Sequence, residues 1–589
     1  MCPFAANAGS IHGVVKSENK PLTGATVRIL ELDRADHTDA KGEFTFRDVP
    51  NGTYRVFVRM LGYATTTNTV KILDNTVETT FSLKESAIEN EDVVITASPY
   101  ARPVDEQYQS SESKAQVELH QSPGASFAEE ISDMPGVDVR WNGSAPARPM
   151  LRGLSDNEVL VLENGLRTGD ISTFDPAHSV PIEPLGVSQI DIVRGPASIM
   201  YGPNAIGGLV NVITNTIPTV SSTPFFGTAS VGLNSVNDGY SGYFNGVYSN
   251  GGSAFGVSAG GTHTQDIRIP EANYFDGIDN FNFSRIPQSW DHSWEGGFGY
   301  SYQGDLGMIG IGYKYYGMTY GIPGTPPNAD WANDPPATSL IEQEKNSVEL
   351  RALFPVNGAF IKQIKFNGSY AGYWHSEYPT AQDSTGVSDP QANHFNLNGI
   401  NASLQLQHEE SSSLHGTFGV WLSNQNLTIE GDQPLGPNST TIDAAGYLFE
   451  EYQAGENTRL QAAARFDYNH IQTSPYAAST DPVFQTLDTA LTSSAVTASI
   501  GALQKLGDDM TLSLNIGRSF RAPTVQELFA NGLDAASSSY SIGDANLVPE
   551  TGLGIDLSLK GTFDIVSIEL SPYVNFINNY IYSYFTGAD

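Results

Sequence analysis

The stretch from Ile190 to Thr214, IDIVRGPASIMYGPNAIGGLVNVIT, constrains this chain more than any other. It reads as strand, tight turn, small-residue crossing and strand. Ile190, Ile192, Leu209, Val210, Val212 and Ile213 supply the apolar strand positions. Gly195-Pro196 ends the first strand, and Gly207-Gly208 lets the backbone turn where a side chain would clash. A lone Gly-Pro says little. The ordered series Arg194-Gly195-Pro196, Tyr201-Gly202, Gly207-Gly208 and Asn211 within so short a span is far more specific.

Three segments precede it in a consistent order: Ile131 to Val137 (ISDMPGV), Met150 to Leu154 (MLRGL) and Val159 to Gly165 (VLVLENG), the last ending in an Asn-Gly tight turn. Together these motifs resemble the plug domain of TonB-dependent outer-membrane receptors. The resemblance implies a mainly β protein in which an α/β plug, residues 101–222, sits inside an antiparallel transmembrane β-barrel. In that family the arginines of the two Arg-Gly motifs lie near glutamates on the barrel wall. Arg152, followed by Gly153, and Arg194 inherit that role here, with Glu349 and Glu527 as candidate partners, because a buried guanidinium is costly without a carboxylate.

From Phe225 onward the chain alternates apolar and polar residues in long segments such as Phe226 to Gly232, Ala254 to His263 and Ile364 to Trp374. No run of 18 apolar residues occurs, which excludes a transmembrane helix but not a barrel, whose strands alternate and keep hydropathy low. Short turns such as Ser249 to Gly252 alternate with long loops such as Gly317 to Lys345. About 15 strands are expected over residues 223–589. A plugged transporter has 22, and an odd number cannot close an antiparallel barrel with both termini on one side. The expectation is therefore a partial barrel lacking about seven C-terminal strands. Two later signatures reinforce the family: Phe520-Arg521-Ala522-Pro523 and Leu547-Val548-Pro549-Glu550 resemble barrel elements of the same receptors.

Ahead of the plug, residues 9–86 show short alternating strands between turn signals at Pro21-Leu22, Asp39 to Gly42 and Pro50 to Gly52. Pro21, Gly24-Ala25, Thr38-Asp39, Gly42, Phe44 and Gly52-Thr53-Tyr54 resemble the carboxypeptidase regulatory-like, prealbumin-type β-sandwich, with roughly seven strands expected. Residues 1–8 resemble the tail of a signal peptide, Ala6-Asn7-Ala8 matching a small-residue cleavage site. A lipoprotein reading through Cys2 finds no lipobox before it. That single cysteine precludes an intramolecular disulfide framework.

The linker 87–100 contains Glu91, Asp92, Val93, Val94, Ile95, Thr96 and Ala97. This short β-branched run resembles the TonB box, which binds its coupling protein by adding a strand to that protein's sheet. The expected partners are the TonB-ExbB-ExbD coupling complex, outer-membrane lipid, and a small-molecule or metal substrate, with the sandwich and plug on the periplasmic side. The net charge of −35, from 30 basic and 65 acidic residues, argues against a nucleic-acid partner. It fits either solubility or a surface that gathers cations.

No Ser-His-Asp, Walker or clustered metal-catalytic motif stands out, so an enzyme is not expected and no cofactor is implied. Phe174-Asp175-Pro176-Ala177-His178 lies between two plug strands. It reads either as a surface loop or as a metal contact through Asp175 and His178, since imidazole with carboxylate suits zinc. The loop resembles the zinc-uptake branch of the receptors. That branch carries a histidine-rich external loop, whereas Tyr320 to Leu340 has no histidine. His263, His375 beside Glu377, and His394 are scattered, each expected as a loop or girdle residue. The substrate stays open between an iron chelate, a metal such as zinc, and an oligosaccharide or peptide. A passive porin or adhesin is the rival class, against which the plug and TonB box argue.

Overall fold

The computed structural model describes residues 8–586 apart from short stretches, the longest being 85–93, 96–101, 324–338 and 380–392. Eight strands between Ala8 and Ser82 form two four-stranded sheets. One is built around Ala8–Ser17, which pairs with Lys20–Pro21, Glu43–Pro50 and, in parallel, Thr76–Ser82. The other orders Arg34–His37, Thr26–Ile29, Gly52–Arg59 and Thr66–Ile72. Alternate residues face inward, and Ile11, Val15, Val27, Ile29, Phe44, Phe46, Val56, Val58 and Phe81 pack into one core. The expected sandwich is present, its extra strand being the two-residue Lys20–Pro21.

The plug holds a five-stranded mixed sheet in the order Ser111–Ala115, Val187–Arg194, Gly208–Thr214, Val159–Glu163, Leu166–Arg167. Only Val159–Glu163 and Gly208–Thr214 run parallel. Val187, Ile190, Ile192, Val210 and Val212 of the sheet pack with Leu119, Phe127 and Ile131 of two short helical segments into one core. Asn164 and Gly165 both take positive φ, 54° and 79°, as an Asn-Gly hairpin turn requires. Gly208 is needed for another reason. Its φ is +139°, and a Cβ there would lie 2.3 Å from the Val193 carbonyl oxygen.

Around the plug runs a single antiparallel sheet from Phe225–Asn234 to Tyr573–Asn578. Of its sixteen segments, Val566–Leu570 and Tyr573–Asn578 lie end to end along Glu550–Phe563 in one register, interrupted at Ser571-Pro572. The wall is thus fifteen strands wide, as expected. Its strands reach 19 residues, as in Ile361–Pro379, longer than the roughly ten residues that span a bilayer. Along Thr458–Ser474, Phe466 and Tyr468 face out while Arg465 and Asp467 are buried against the plug.

The short turns share one rim, and the sandwich docks there. Gln363 donates to the Glu31 carbonyl (3.0 Å), Ser221 to Asp36 (2.7 Å), and Arg59 pairs with Glu118 (3.4 Å). Glu106 binds all three bodies together. It takes Arg55 of the sandwich at 3.0 Å and Arg459 and Lys505 of the wall at 3.1 Å each.

Candidate functional site

The plug loop after Leu166–Arg167 is held at both ends of a short arc. Tyr320 of the wall donates its hydroxyl to the Ala177 carbonyl and accepts the Ser179 amide, each at 2.9 Å. Arg148 reaches the His178 carbonyl at 3.3 Å. His178 is thereby fixed and fully buried, facing the strand Ile361–Pro379. On that strand Tyr373, His375 and Glu377 recur at every second position and all are buried.

His178 Nε2 lies 2.6 Å from Glu377 Oε1, and His375 Nε2 lies 3.6 Å from the same oxygen. The three ligand atoms lie within 4.8 Å of one another. Hydrogen bonding sets both tautomers. His178 Nδ1 contacts the Ile171 carbonyl (3.2 Å), which can only accept, so that nitrogen carries a proton. Tyr373 donates to Gln343 Oε1 (2.9 Å) and so accepts from His375 Nδ1, also at 2.9 Å. Both Nε2 atoms therefore turn toward Glu377, and His375 Nε2 has no hydrogen-bond partner. Such outer partners orient metal-binding imidazoles.

A tetrahedral zinc with bonds near 2.0–2.2 Å separates its ligand atoms by ~3.3 Å. The His375–Glu377 spacing is close to that, and the His178–Glu377 spacing must open by a fraction of an ångström. Meanwhile two acceptors at 2.6 Å require a proton between them. Burial opposes charge on His178, but the hydrogen bond and charge of Glu377 outweigh it and hold its pKa above the ordinary value.

Of the expected metal pair, then, His178 is in the cluster and Asp175 is not. Asp175 Oδ1 accepts the Ala177 amide (2.7 Å), capping its own turn. His375, expected as a loop or girdle residue, and Glu377 beside it complete the cluster. Their His-x-Glu spacing on a strand was the available signal. His394 bonds Ser376, and His263 stacks on His292 with ring centroids 3.8 Å apart, so neither joins the site.

The plug arginines are buried, with partners other than those expected. Arg152 pairs with Asp556 of the wall and stacks over Tyr573, 3.9 Å from its centroid. Arg194 stays within the plug, 2.7 Å from Glu112. Glu349 instead accepts Asn164 (2.9 Å), and Glu527 binds Arg521 (2.8 Å) beside Glu550 and Glu158. Position explains the correction: Glu349 faces inward from its strand opposite the Asn164 turn, and Glu527 sits on the short helix Val525–Phe529, where it reaches Arg521 and Asn157. Gly195 has φ +81°, and a Cβ there would lie 2.5 Å from Asp556 Oδ2, so this glycine lets Asp556 approach. Gly153 follows Arg152 in the left-handed region, Gly207 abuts Leu154, Gly202 and Tyr201 face the wall near Arg465, and Asn211 Oδ1 accepts the Gly165 amide (2.8 Å). Pro196 lies outside the described residues, as do Glu91, Asp92, Val93, Thr96 and Ala97. Val94-Ile95 pairs antiparallel with Arg102-Pro103.

A cavity of about 140 Å³ also lies between plug and wall, reached by Arg167, Asp170, Phe174, Leu427 and Asp443.

The description of a TonB-dependent receptor-like β-barrel matches residues 225–589, more than half the chain. This chain is a TonB-dependent receptor. The receptor plug domain matches residues 103–209, and a CarboxypepD_reg-like domain matches residues 11–95. Among curated relatives, the vitamin B12 transporter BtuB of Vibrio vulnificus (strain CMCP6) is 21% identical over 84% of this chain and 72% of its own length. Heme/hemopexin utilization protein C of Haemophilus influenzae (strain ATCC 51907 / DSM 11121 / KW20 / Rd) is 32% identical over 20% of this receptor and 16% of its own length. Among solved structures, the copper transporter OprC superposes with a TM-score of 0.65 at 16% identity, covering 79% of this chain and 70% of that one. The Serratia marcescens hemophore receptor HasR, in complex with its hemophore HasA and heme, gives 0.66 at 13% identity, covering 81% and 74%. These show the fold. The receptor is an outer-membrane protein that crosses by strands, and among the described residues no helix is long and apolar enough to cross.

Proposed function

We propose that this receptor imports a scarce transition-metal ion, of the zinc type, across the outer membrane, and that His178, His375 and Glu377 hold the ion at the junction of plug and wall. The observation that carries the reading is two imidazole Nε2 atoms converging on one buried carboxylate. Two nitrogens and one oxygen form a borderline donor set that suits zinc and its neighbours, and water or a substrate group completes four-coordination. Because His178 belongs to the plug and the other two ligands to the wall, moving the plug divides the site. Energised by TonB with its ExbB-ExbD partners through residues 91–97, the receptor releases the ion by the same displacement that opens a path. Relatives named as B12, heme and copper proteins fit nutrient import as the shared activity. No covalent step is required.

The test is isothermal titration of the detergent-solubilised receptor with zinc. His178→Ala and His375→Ala should each weaken binding by roughly 10-fold or more, at least the scale of disturbing an outer-shell partner. Asp175→Asn should leave it nearly unchanged. Absence of zinc heat in the wild type would remove the metal reading.

A further inference from the structure

The cavity between plug and wall carries charges that the metal reading does not use. Its volume of about 140 Å³ accommodates roughly ten water-sized positions, the scale of one amino acid. Three buried polar atoms on its lining residues lack hydrogen-bond partners: Arg167 Nε, Asp170 Oδ2 and Asn157 Oδ1. Arg167 makes no ion pair among the described residues. Its Nη2 reaches only the Pro203 carbonyl at 3.4 Å, and its guanidinium lies 5.2 Å from the Trp421 ring centroid. The nearby charges of Asp443 and Asp467 offset part of the cost of burying this guanidinium, but neither carboxylate is in ion-pair contact with it among the described residues, which leaves its Nε for an anion in the cavity. The same lining also carries groups for a cation. Asp170 spends Oδ1 on the Ser172 amide (2.8 Å) and keeps Oδ2 free, and Asp443, steadied by Asn469 at 2.8 Å, adds a second carboxylate.

We propose that this cavity recognises a small zwitterionic aminocarboxylate, with Arg167 binding its carboxylate and Asp170, Asn157 and Asp443 receiving its ammonium group. Fixed charges of both signs in one small cavity select a molecule with both, because a ligand lacking either leaves a buried group unpaired. The position suits such a ligand as the carrier of the metal. Asp170, Ser172 and Phe174 line the cavity, while Ile171 between them holds His178 through its carbonyl. Phe395 covers the imidazoles from the wall side, its ring 5.8 Å from that of His178 and 5.5 Å from that of His375. The loop that lines the cavity is thus the loop that holds His178. The inference deepens the import reading by naming the class of molecule that brings the ion, and the cavity chemistry stands without the metal.

The experiment titrates the full-length, metal-stripped receptor with L-histidine, with histamine, which lacks the carboxylate, with imidazole propionate, which lacks the ammonium, and with glucose. L-histidine should bind saturably, and each half-charged analogue about 10-fold or more weakly. Arg167→Gln should abolish the preference for L-histidine over histamine, Arg167→Lys should restore part of it, and Asp170→Asn should abolish the preference over imidazole propionate. Equal affinity for L-histidine and histamine, preference for glucose, or no saturable L-histidine binding overturns the proposal. Zinc binding that persists alongside any of those results leaves the import reading standing, so the two failures are told apart.

Discussion

Arg152 should hold the plug in the wall, and its contribution separates into parts that substitution can resolve. Its side chain is 4% exposed and that of its partner Asp556 is 2% exposed, so the pair is shielded from water and salt. Removing one member of such a pair strands the other charge, at a cost of about 3–5 kcal/mol. Stacking over Tyr573 lies within this cost for Arg152→Ala and is worth up to ~2 kcal/mol when desolvated. The backbone adds a term of opposite sign. Arg152 has φ +53°, a conformation costing a residue with a Cβ about 1 kcal/mol or more and glycine little. Arg152→Gly should therefore be about 1 kcal/mol less damaging than Arg152→Ala, although both lose the ion pair. Asp556→Ala should cost about as much as Arg152→Ala, and the double variant should cost less than the sum by ~2 kcal/mol or more, since neither leaves the other unpaired. Hydrogen exchange on the hairpin Val137–Trp141 and Ala147–Leu151, which ends at Arg152, reads the local opening free energy. Additive costs in the cycle would refute the assignment of Arg152–Asp556 as the latch, and equal costs for the glycine and alanine variants would refute the backbone term.

Deletion of residues 91–97 should abolish uptake while leaving substrate binding intact, and undiminished uptake would remove the TonB-box assignment. Residues 8–83 should fold alone as a soluble β-sandwich, because their core is closed by their own strands; a featureless circular-dichroism spectrum would contradict this. Glu158 of the plug is pushed up to about 7 by burial, against the opposing pull of Arg521. A carboxyl raised in the folded state keeps its proton where the free group, near 4.5, has lost it. Plug docking should therefore weaken as pH rises from ~4.5 to ~7, by about 3 kcal/mol at most, and the loss is complete above that window. Glu158→Gln should flatten this pH dependence of hydrogen exchange, and an unchanged profile would show that another group sets it.

What was legible in the sequence was local. Strand alternation, the Asn-Gly turn and the glycines of the plug act over a few residues, and each gave the right element because backbone geometry has few alternatives. The width of the wall was equally readable, since every crossing leaves its own alternating segment between turns. The contacts between plug and wall were not, because alternation shows that a residue faces inward but not its height or azimuth around the plug. Glu349, Asp556 and Glu377 are all inward-facing carboxylates on strands, and only the assembled barrel decides that Asp556 meets Arg152, 404 positions away, and that Glu377 meets His178. Asp175 shows the converse. It stands three residues before His178 and looks like its natural co-ligand, yet its position in a tight loop offers its oxygen a backbone amide two residues on. A carboxylate satisfied by its own turn has little reason to hold a metal. Glu377 sits on an extended strand, where no such local donor competes for the oxygen that faces both imidazoles, and that freedom, rather than nearness in sequence, is why the metal proposal rests on it.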